Sequence, residues 1–312
     1  MNLDGVLLID SHIHIYPTRE EGAELKRSYE IPDYGAKADV VFSERGGALD
    51  EASEAMDEAG VASAAVLNIY EIPGWPSPPG GRWWPTSPPH AERRDELVAS
   101  NEWLCGLKDA ERRLLPFISV HPGVMTAADT LAHTEDMFER AGARGVKLHP
   151  TGQRIDPADP GLDAVYAFCA ERGAPVIAHS GVDVKGQGLA DLEAFVPVLE
   201  RNPRLKLVLA HLGGGLWEHA EAFAARFPHA YFDLCEIIEW TEAEHGPTRE
   251  QLGGLIKRIG PQRVLMGSDF PWYDLDRTVD LVLSLPGLSD EERIGIVGRN
   301  AAGLLELEVT PA

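Results

Sequence analysis

The sequence predicts a (β/α)8 TIM barrel with loop insertions after strands 1 and 2. Short β-branched runs alternate with longer stretches that have apolar residues at helical spacing. Eight such runs fit within 312 residues, a length that suits one barrel of this kind. Residues that can bind metals end several of the runs, and barrel enzymes build their sites at the carboxyl ends of the strands. An open, doubly wound parallel sheet is the structural alternative.

The predicted strands and helices divide the chain in regular order. The strands are residues 6–15, 63–70, 115–121, 145–149, 175–180, 205–211, 230–235 and 264–269. The main helices between them are residues 49–59, 131–141, 162–172, 189–202, 216–227 and 249–259. Gly60, Gly142, Gly173 and Gly260 follow four of these helices, as expected for glycine near a helix C-terminus. We therefore expect a single barrel domain over residues 1–312.

Two insertions interrupt the alternation. Residues 17–45 follow the first strand and could form a wall of the site. Residues 72–89 are rich in proline, which removes backbone donors and fixes φ, so this segment is neither helix nor central strand. It is either a solvated loop or oligomer contact, or a lid whose Trp75, Trp83 and Trp84 bind an apolar substrate.

The composition argues against several classes of protein. Lys and Arg number 28 against 50 Asp and Glu, and the formal net charge of −22 repels phosphate backbones, so we expect no nucleic-acid partner. The three cysteines are widely spaced and indicate reduced thiols of a cytoplasmic protein. No cationic region precedes the first apolar run, so we expect neither a secretory signal nor a membrane span. The expected partners are a small-molecule substrate and a second copy of the chain, in a homodimer.

The segment Asp10-Ser11-His12-Ile13-His14 carries the strongest functional signal. A strand directs alternate residues to the same side, so His12 and His14 can bind one ion together. Asp10 shares that side, and its carboxylate could orient an imidazole that binds the metal. Two histidines alone would equally suit a protein core, but donors at other strand ends favour a metal site.

Three further donors end later strands. His179 precedes Ser180-Gly181 and His211 precedes Gly213-Gly214-Gly215, where small residues allow a ligand or water to approach the backbone closely. Asp269 lies where the eighth strand should end, and a carboxylate beside a metal-bound water can accept its proton. An aspartate at a loop start is otherwise often a helix cap, but its place in this series of donors favours catalysis.

These motifs resemble the amidohydrolase superfamily, specifically the branch that includes aminocarboxymuconate-semialdehyde decarboxylase. The similar segments are Asp10-Ser11-His12-Ile13-His14, Ala178-His179-Ser180-Gly181, Ala210-His211-Leu212-Gly213-Gly214, Gly267-Ser268-Asp269-Phe270-Pro271 and Gly298-Arg299-Asn300-Ala301-Ala302-Gly303-Leu304-Leu305. They span nearly the whole chain in the expected order.

The resemblance implies one divalent ion, usually zinc, bound by His12, His14, His179 and Asp269 together with a water. His211 would contact that water or the substrate. In hydrolytic members the water attacks a carbonyl or imine-like carbon, and Asp269 takes its proton. In decarboxylating members similar residues assist protonation of the carbon that loses carbon dioxide.

Lys147 ends the fourth strand and has three competing interpretations. Binuclear relatives place a carboxylated lysine there, bridging two metals; the lysine could instead bind a substrate carboxylate or form a salt bridge inside the barrel. The following Leu-His-Pro resembles mononuclear relatives, which disfavours the bridge. His149 shares the face of Lys147 and Arg154 lies on the same loop, so both are further candidates for substrate binding. His121 and Glu236, at other strand ends, line the pocket or serve the structure.

The main prediction is a metal-dependent hydrolase that acts on a small carboxylated or cyclic substrate, such as an amide or lactone. A nonoxidative decarboxylase of an aromatic or semialdehyde acid is the alternative, because both chemistries use this scaffold. A catalytically silent binding protein is a third class, which the number of ionisable groups at strand ends disfavours. No Gly-x-Ser-x-Gly elbow supports a serine hydrolase.

Overall fold

The computed structural model describes residues 6–28, 33–37, 39–71, 91–182 and 188–307. The barrel prediction is confirmed, because eight parallel strands pair in sequence order. The strands are β1 Leu8–Ile13, β2 Val61–Leu67, β3 Leu114–Ser119, β4 Gly145–Leu148, β5 Val176–Ala178, β6 Leu207–Leu209, β7 Tyr231–Asp233 and β8 Val264–Leu265.

The two ends of the sheet meet between β1 and β8. Ser11 N donates to Met266 O at 2.9 Å, and Asp269 N donates to His12 O at 2.8 Å. Ile13 and Phe270 add a parallel bridge just beyond β8. This closure brings the residues that follow β8 next to the histidines of β1.

Most strands are shorter than predicted at their carboxyl ends. The chain leaves the sheet before His14, His149, His179, His211 and Asp269. Loop backbone carries these side chains, so their positions depend on loop conformation as well as on strand alternation.

The α-helices cover the outside of the sheet. They are α1 Arg19–Ser28, α2 Leu49–Ala59, α3 Arg94–Ala110, α4 Ala127–Glu139, α5 Pro150–Gln153, α6 Asp163–Arg172, α7 Val196–Arg201, α8 Ala220–Arg226, α9 Arg249–Ile259, α10 Leu275–Leu283, α11 Asp290–Ile294 and α12 Asn300–Leu304. The bounds of α2 and α9 are as predicted, whereas α1 lies in the first insertion, where no helix was predicted. The predicted helix at 189–202 is instead a 3-10 turn, Leu192–Phe195, followed by α7.

A small apolar cluster lies below the strand ends. Ile9, Phe117, Ile177 and Leu265 are buried in it and pack with residues of α12. Ile177 lies in β5, two residues before His179, so this cluster packs close to the start of the loop that carries the imidazole. The polar residues that follow the strands therefore lie next to a packed apolar cluster. In the part of the chain that is described, no helix is long and apolar enough to cross a membrane.

Candidate metal centre

His12, His14 and Asp269 converge at the carboxyl end of the barrel. Asp269 Oδ1 lies 3.4 Å from His12 Nε2 and 3.2 Å from His14 Nε2, and all three side chains are buried. Ligand atoms that share one tetrahedral zinc ion are about 3.4 Å from each other. The three atoms are therefore spaced as ligands of a single ion would be.

The Nδ1 atom of each of these two histidines, His12 and His14, already has a hydrogen-bond partner. His14 Nδ1 lies 2.9 Å from Leu67 O, and His12 Nδ1 lies 3.0 Å from Asp233 Oδ2. A carbonyl oxygen only accepts, so Nδ1 of His14 carries the proton and Nε2 presents its lone pair. A carboxylate at Nδ1 of His12 favours the same tautomer. This donor set fits a divalent cation.

Backbone conformation places Asp269 against the two imidazoles. The backbone φ of Asp269 is 60°, in the left-handed region that residues other than glycine rarely adopt. Burial would raise the pKa of Asp269, but the close contact of its carboxylate with His14 and the other nearby histidines outweighs burial and holds that pKa well below its usual range. The carboxylate is thus kept ionised, as a metal ligand must be.

The sequence-based hypothesis that Asp10 orients an imidazole is wrong. Asp10 Oδ1 accepts from the backbone nitrogens of His12 at 2.9 Å and Ser268 at 3.1 Å, so it joins β1 to the segment after β8. Burial raises the pKa of Asp10 to about 7, against the hydrogen bonds from Ser268 and His12. The orienting carboxylate is Asp233, which the sequence analysis did not single out.

Cys235 completes a buried network with Asp233 beneath the histidines. Its Sγ lies 3.1 Å from His12 Nδ1 and 3.2 Å from His211 Nδ1, and it donates to Asp233 Oδ1 at 2.7 Å. The same oxygen accepts from His211 N at 2.9 Å. Burial and the charge of Asp233 raise the pKa of Cys235 well above its usual value, so the thiol stays protonated. The signal in the sequence was an Asp-x-Cys pair at the end of the seventh strand, where both residues share a face.

His179, His211 and His149 form a second row of imidazoles. His211 Nε2 lies 2.9 Å from His179 Nδ1, and the rings of His149 and His179 stack at 4.3 Å between centroids. Burial lowers the pKa of both His149 and His179 well below 6.5, and neighbouring positive groups lower it further. Among the described residues, His179 belongs to no cluster of potential ligand atoms within 4.8 Å of one another. Its predicted role as fourth ligand stays a prediction.

Lys147 lies among the candidate metal ligands. Its Nζ is 3.1 Å from His12 Nε2, the nitrogen that faces Asp269, and the side chain is only 1% exposed. Burial lowers the pKa of Lys147, while the carboxylates of Asp269 and Asp233 oppose that effect. No carboxylate of the described chain forms an ion pair with Lys147 within 4.0 Å, which argues against the interpretation as an internal salt bridge.

Glu236 joins His211 and Asp269 in another cluster. Potential ligand atoms of these three side chains lie within 4.8 Å of one another, and all three residues are buried. Burial, together with the charges of Asp33 and Asp269, raises the pKa of Glu236 well above its usual value. A protonated carboxyl beside a histidine and a carboxylate can take part in proton transfer.

Asp33, from the first insertion, occupies the space beside the glycine run. Its Oδ2 accepts from Val182 N at 2.8 Å and from Gly215 N at 3.2 Å. A Cβ on Gly214 would lie 2.2 Å from that oxygen, and one on Gly181 would lie 2.3 Å from it. The small residues therefore admit a carboxylate of the protein itself, where the sequence suggested a ligand or water.

Of the other predicted site residues, the structure describes His121 and Arg154. His121 is buried, with Nε2 3.0 Å from Gln153 O and Nδ1 accepting from Gly123 N, which supports the structural interpretation. Arg154 ends α5 in a left-handed conformation. Trp83 and Trp84, with the rest of the proposed lid, lie outside the described residues.

The chain is similar to a known protein family and to several solved structures. A family model described as Amidohydrolase matches residues 9–307. No curated protein sequence matches the chain significantly. The fold is similar to 5-carboxyvanillate decarboxylase from Sphingomonas paucimobilis, with 16% identity, a TM-score of 0.65, and 97% of this chain and 100% of that chain covered.

Two further solved structures have the same fold. The 2,6-dihydroxybenzoate decarboxylase from Rhizobium is 15% identical, with a TM-score of 0.65 over 97% of this chain and 99% of that chain. A dihydroxybenzoic acid decarboxylase from Polaromonas, with bound manganese and the inhibitor 2-nitroresorcinol, is 16% identical, with a TM-score of 0.66 over 98% of each chain. Identities this low establish the fold and leave the substrate open.

Proposed function

Because the chain belongs to the amidohydrolase family and is a metal-dependent enzyme, we propose that it is a nonoxidative decarboxylase of an aromatic or semialdehyde acid. Three structures that share its fold are decarboxylases of aromatic acids. They support this alternative better than the hydrolase that the sequence analysis preferred. Hydrolysis of a cyclic or amide substrate remains the second candidate, on the description of the family model.

The observation that carries the proposal is the position of Lys147. A cation buried 3.1 Å from His12 Nε2 lies where it can bind an anionic substrate group together with the ion. A carboxylate provides such a group, whereas an amide or lactone that carries no carboxylate does not. We therefore assign Lys147 to the substrate carboxylate, with Arg154 and His149 as further substrate contacts. A carbamate on Lys147 that bridges two ions is the remaining alternative.

We propose His12, His14, Asp269 and His179 as the ligands of one divalent ion. A donor set of three imidazoles and one carboxylate suits zinc, although a structural relative contains manganese. His179 can bind through Nε2, because its Nδ1 already contacts His211. When bound, the ion supplies positive charge that holds the substrate and stabilises negative charge developing on its oxygens.

The residues around His211 provide the proton. In the proposed reaction, a proton from Glu236 or His211, which lie beside the ionised carboxylate of Asp269, adds to the carbon that bears the carboxylate. The bond from that carbon to the carboxyl carbon then breaks, its electron pair returns to the ring, and carbon dioxide leaves. Solvent returns a proton to the donor. The proximity of the three side chains, within 4.8 Å, supports this assignment.

The test is direct product analysis on the metal-loaded protein. We expect carbon dioxide release from at least one acid in a panel that includes 2,6-dihydroxybenzoate, 5-carboxyvanillate and semialdehyde acids. Lys147→Met should retain the ion and lose most of this activity. Opening of a lactone or amide without any carbon dioxide release would instead support the hydrolase.

A further inference from the structure

Four consecutive residues after β6 have a positive φ. The values are 63° at His211, 53° at Leu212, 88° at Gly213 and 55° at Gly214. Glycine adopts this conformation freely, whereas His211 and Leu212 keep it only when the surrounding structure holds them there. Residues 211–215, which we call the His211 turn, therefore need partners that fix their backbone.

Three buried side chains accept hydrogen bonds from alternate backbone nitrogens of the His211 turn. The pairs are Asp233 Oδ1 with His211 N at 2.9 Å, Ser180 Oγ with Gly213 N at 3.2 Å, and Asp33 Oδ2 with Gly215 N at 3.2 Å. Asp233 lies in β7 and Ser180 follows β5, so the barrel itself supplies two of the three acceptors. Asp33 comes from the first insertion, and its contact makes the turn depend on that insertion.

Asp33 is itself fixed by neighbouring segments of the barrel. Its Oδ2 also accepts from Val182 N at 2.8 Å. The next residue, Tyr34, is buried and stacks on Trp240, with 5.5 Å between the ring centroids. His245 N donates to Tyr34 O at 2.9 Å. The insertion therefore brings a carboxylate that joins the loop after β5 to the His211 turn, and it is anchored on the segment after β7.

The His211 turn determines where the imidazole of His211 lies. Nε2 of His211 lies 2.9 Å from His179 Nδ1, and the rings of His211 and His12 are 5.5 Å apart between centroids. Relaxation of His211 to a negative φ would change the direction of its side chain relative to both partners. A displacement of about 1 Å at a catalytic group can cost about 10²-fold in rate. The hold on this turn therefore matters to any proton transfer by His211.

We propose that Asp33 is a positioning residue, which holds the His211 turn in its left-handed conformation and so keeps the imidazole of His211 beside His179 and His12. The inference rests on the proposed function for the part that His211 takes in proton transfer. Asp33 acts through the backbone of the turn. The first insertion is in this scheme required for turnover, in addition to forming a wall of the site.

The first experiment measures hydrogen exchange by mass spectrometry on zinc-loaded protein without substrate. In Asp33→Ala the backbone amides of the His211 turn should exchange at least about tenfold faster than in wild type, the value of one hydrogen bond to a charged acceptor. Asp33→Asn should exchange near the wild-type rate, because its amide oxygen can accept both bonds. Wild-type exchange in Asp33→Ala, or equal acceleration by both variants, would overturn the assignment.

Glu51→Ala is the matched control for this measurement. Glu51 Oε2 accepts from the backbone nitrogens of Gly46, Gly47 and Ala48, just beyond the other end of the same insertion. Its loss should accelerate exchange at residues 46–48 and leave the His211 turn at the wild-type rate. Acceleration of the His211 turn by Glu51→Ala would show a general loosening of the fold, which contradicts a specific role for Asp33. Thermal unfolding shows that each variant is folded.

The second experiment separates positioning from binding. Asp33→Ala should lower kcat about 10- to 100-fold and leave KM and the metal content unchanged, and Asp33→Asn should recover most of the turnover. An unchanged kcat in Asp33→Ala, or loss of the ion from it, would contradict positioning of His211. Exchange needs no turnover. Faster exchange of the turn in a protein that releases no carbon dioxide would sustain the hold on His211 while the proposed decarboxylation failed; carbon dioxide release with unaltered exchange would have the opposite meaning.

Discussion

Asp233 Oδ2 lies 3.0 Å from Nδ1 of His12, while Nε2 of the same ring faces Asp269 at 3.4 Å. One imidazole therefore connects a buried carboxylate on β7 with the candidate ligand cluster. Such a carboxylate fixes the ring and strengthens the basicity of the ligating nitrogen. The metal affinity of the site should depend on Asp233 although this residue is not among the proposed ligands.

Asp233→Asn should weaken metal binding about 10- to 100-fold, the usual effect of losing an orienting carboxylate. Asparagine has one acceptor oxygen, which cannot replace both the contact with His12 and the contact with His211 N. Competition with a chromophoric chelator measures the affinity. Asp10→Asn is the control. A single oxygen of Asp10, Oδ1, accepts the hydrogen bonds from both backbone nitrogens, and the amide oxygen of asparagine can accept the same two bonds. Equal weakening by both substitutions would contradict the role of Asp233.

His211→Asn should separate catalysis from metal binding. The proposed ligands exclude His211, so the variant should retain the ion and lose about 10²- to 10⁴-fold in turnover, as expected for a lost proton-transfer group. His12→Asn should lose both the ion and the activity. Metal content per chain and carbon dioxide release are the two measurements. Loss of the ion from His211→Asn would show that His211 is a ligand.

The barrel could be predicted because its signals are local. Each strand appears in the sequence as a short β-branched run, and Gly60 and Gly173 end helices α2 and α6 with positive φ, as predicted. The candidate metal ligands at the strand ends could be identified in the sequence for the same reason. Strand alternation explains why His12 and His14 lie together.

The supporting residues could not be predicted, because their partners are distant in the chain. Asp233 is 221 residues from His12, and Asp33 is 182 residues from Gly215. Nothing near Asp33 in the sequence distinguishes it from a surface carboxylate, and the Asp-x-Cys pair that contains Asp233 does not show which histidine it contacts. Asp10, by contrast, was adjacent to the ligands and was assigned the wrong partner, since its oxygen accepts from backbone rather than from an imidazole.

Gly214→Ala should destabilise the fold. Its φ of 55° and ψ of −134° are unfavourable for alanine, and the added Cβ would lie 2.2 Å from Asp33 Oδ2. Strain of this kind costs about 1–3 kcal/mol. Urea denaturation measures the free energy of unfolding. Gly106→Ala in α3 is the control: its Cβ meets no atom within 4 Å, and alanine should stabilise the helix by up to about 1 kcal/mol. Similar effects of the two substitutions would contradict close packing at Gly214.

His133 should make stability depend on pH. Burial lowers its pKa, and Asn101 Nδ2 lies 2.9 Å from its Nε2, a contact that a neutral ring can accept. The unfolded chain binds a proton at this histidine near pH 6.5, whereas the folded chain resists it, so stability falls as pH drops through that range. His133→Gln should reduce the loss of unfolding free energy between pH 7.5 and 5.5. The exposed His229, changed to Gln, is the control, and equal effects of both variants would contradict the prediction.

Lys147→Met distinguishes the two remaining roles of this lysine. If Lys147 binds the substrate carboxylate, wild type and variant should each contain one ion per chain, and the variant should bind benzoate at least about tenfold more weakly, since it loses a buried charged contact. If Lys147 carries a bridging carbamate, wild type should contain two ions, and the variant should lose at least one of them. Metal analysis and calorimetry are sufficient to separate these outcomes. Lys206→Met is a suitable control, because that lysine is partly exposed, pairs with Glu306, and precedes β6, whereas the ligand cluster lies at the carboxyl ends of the strands.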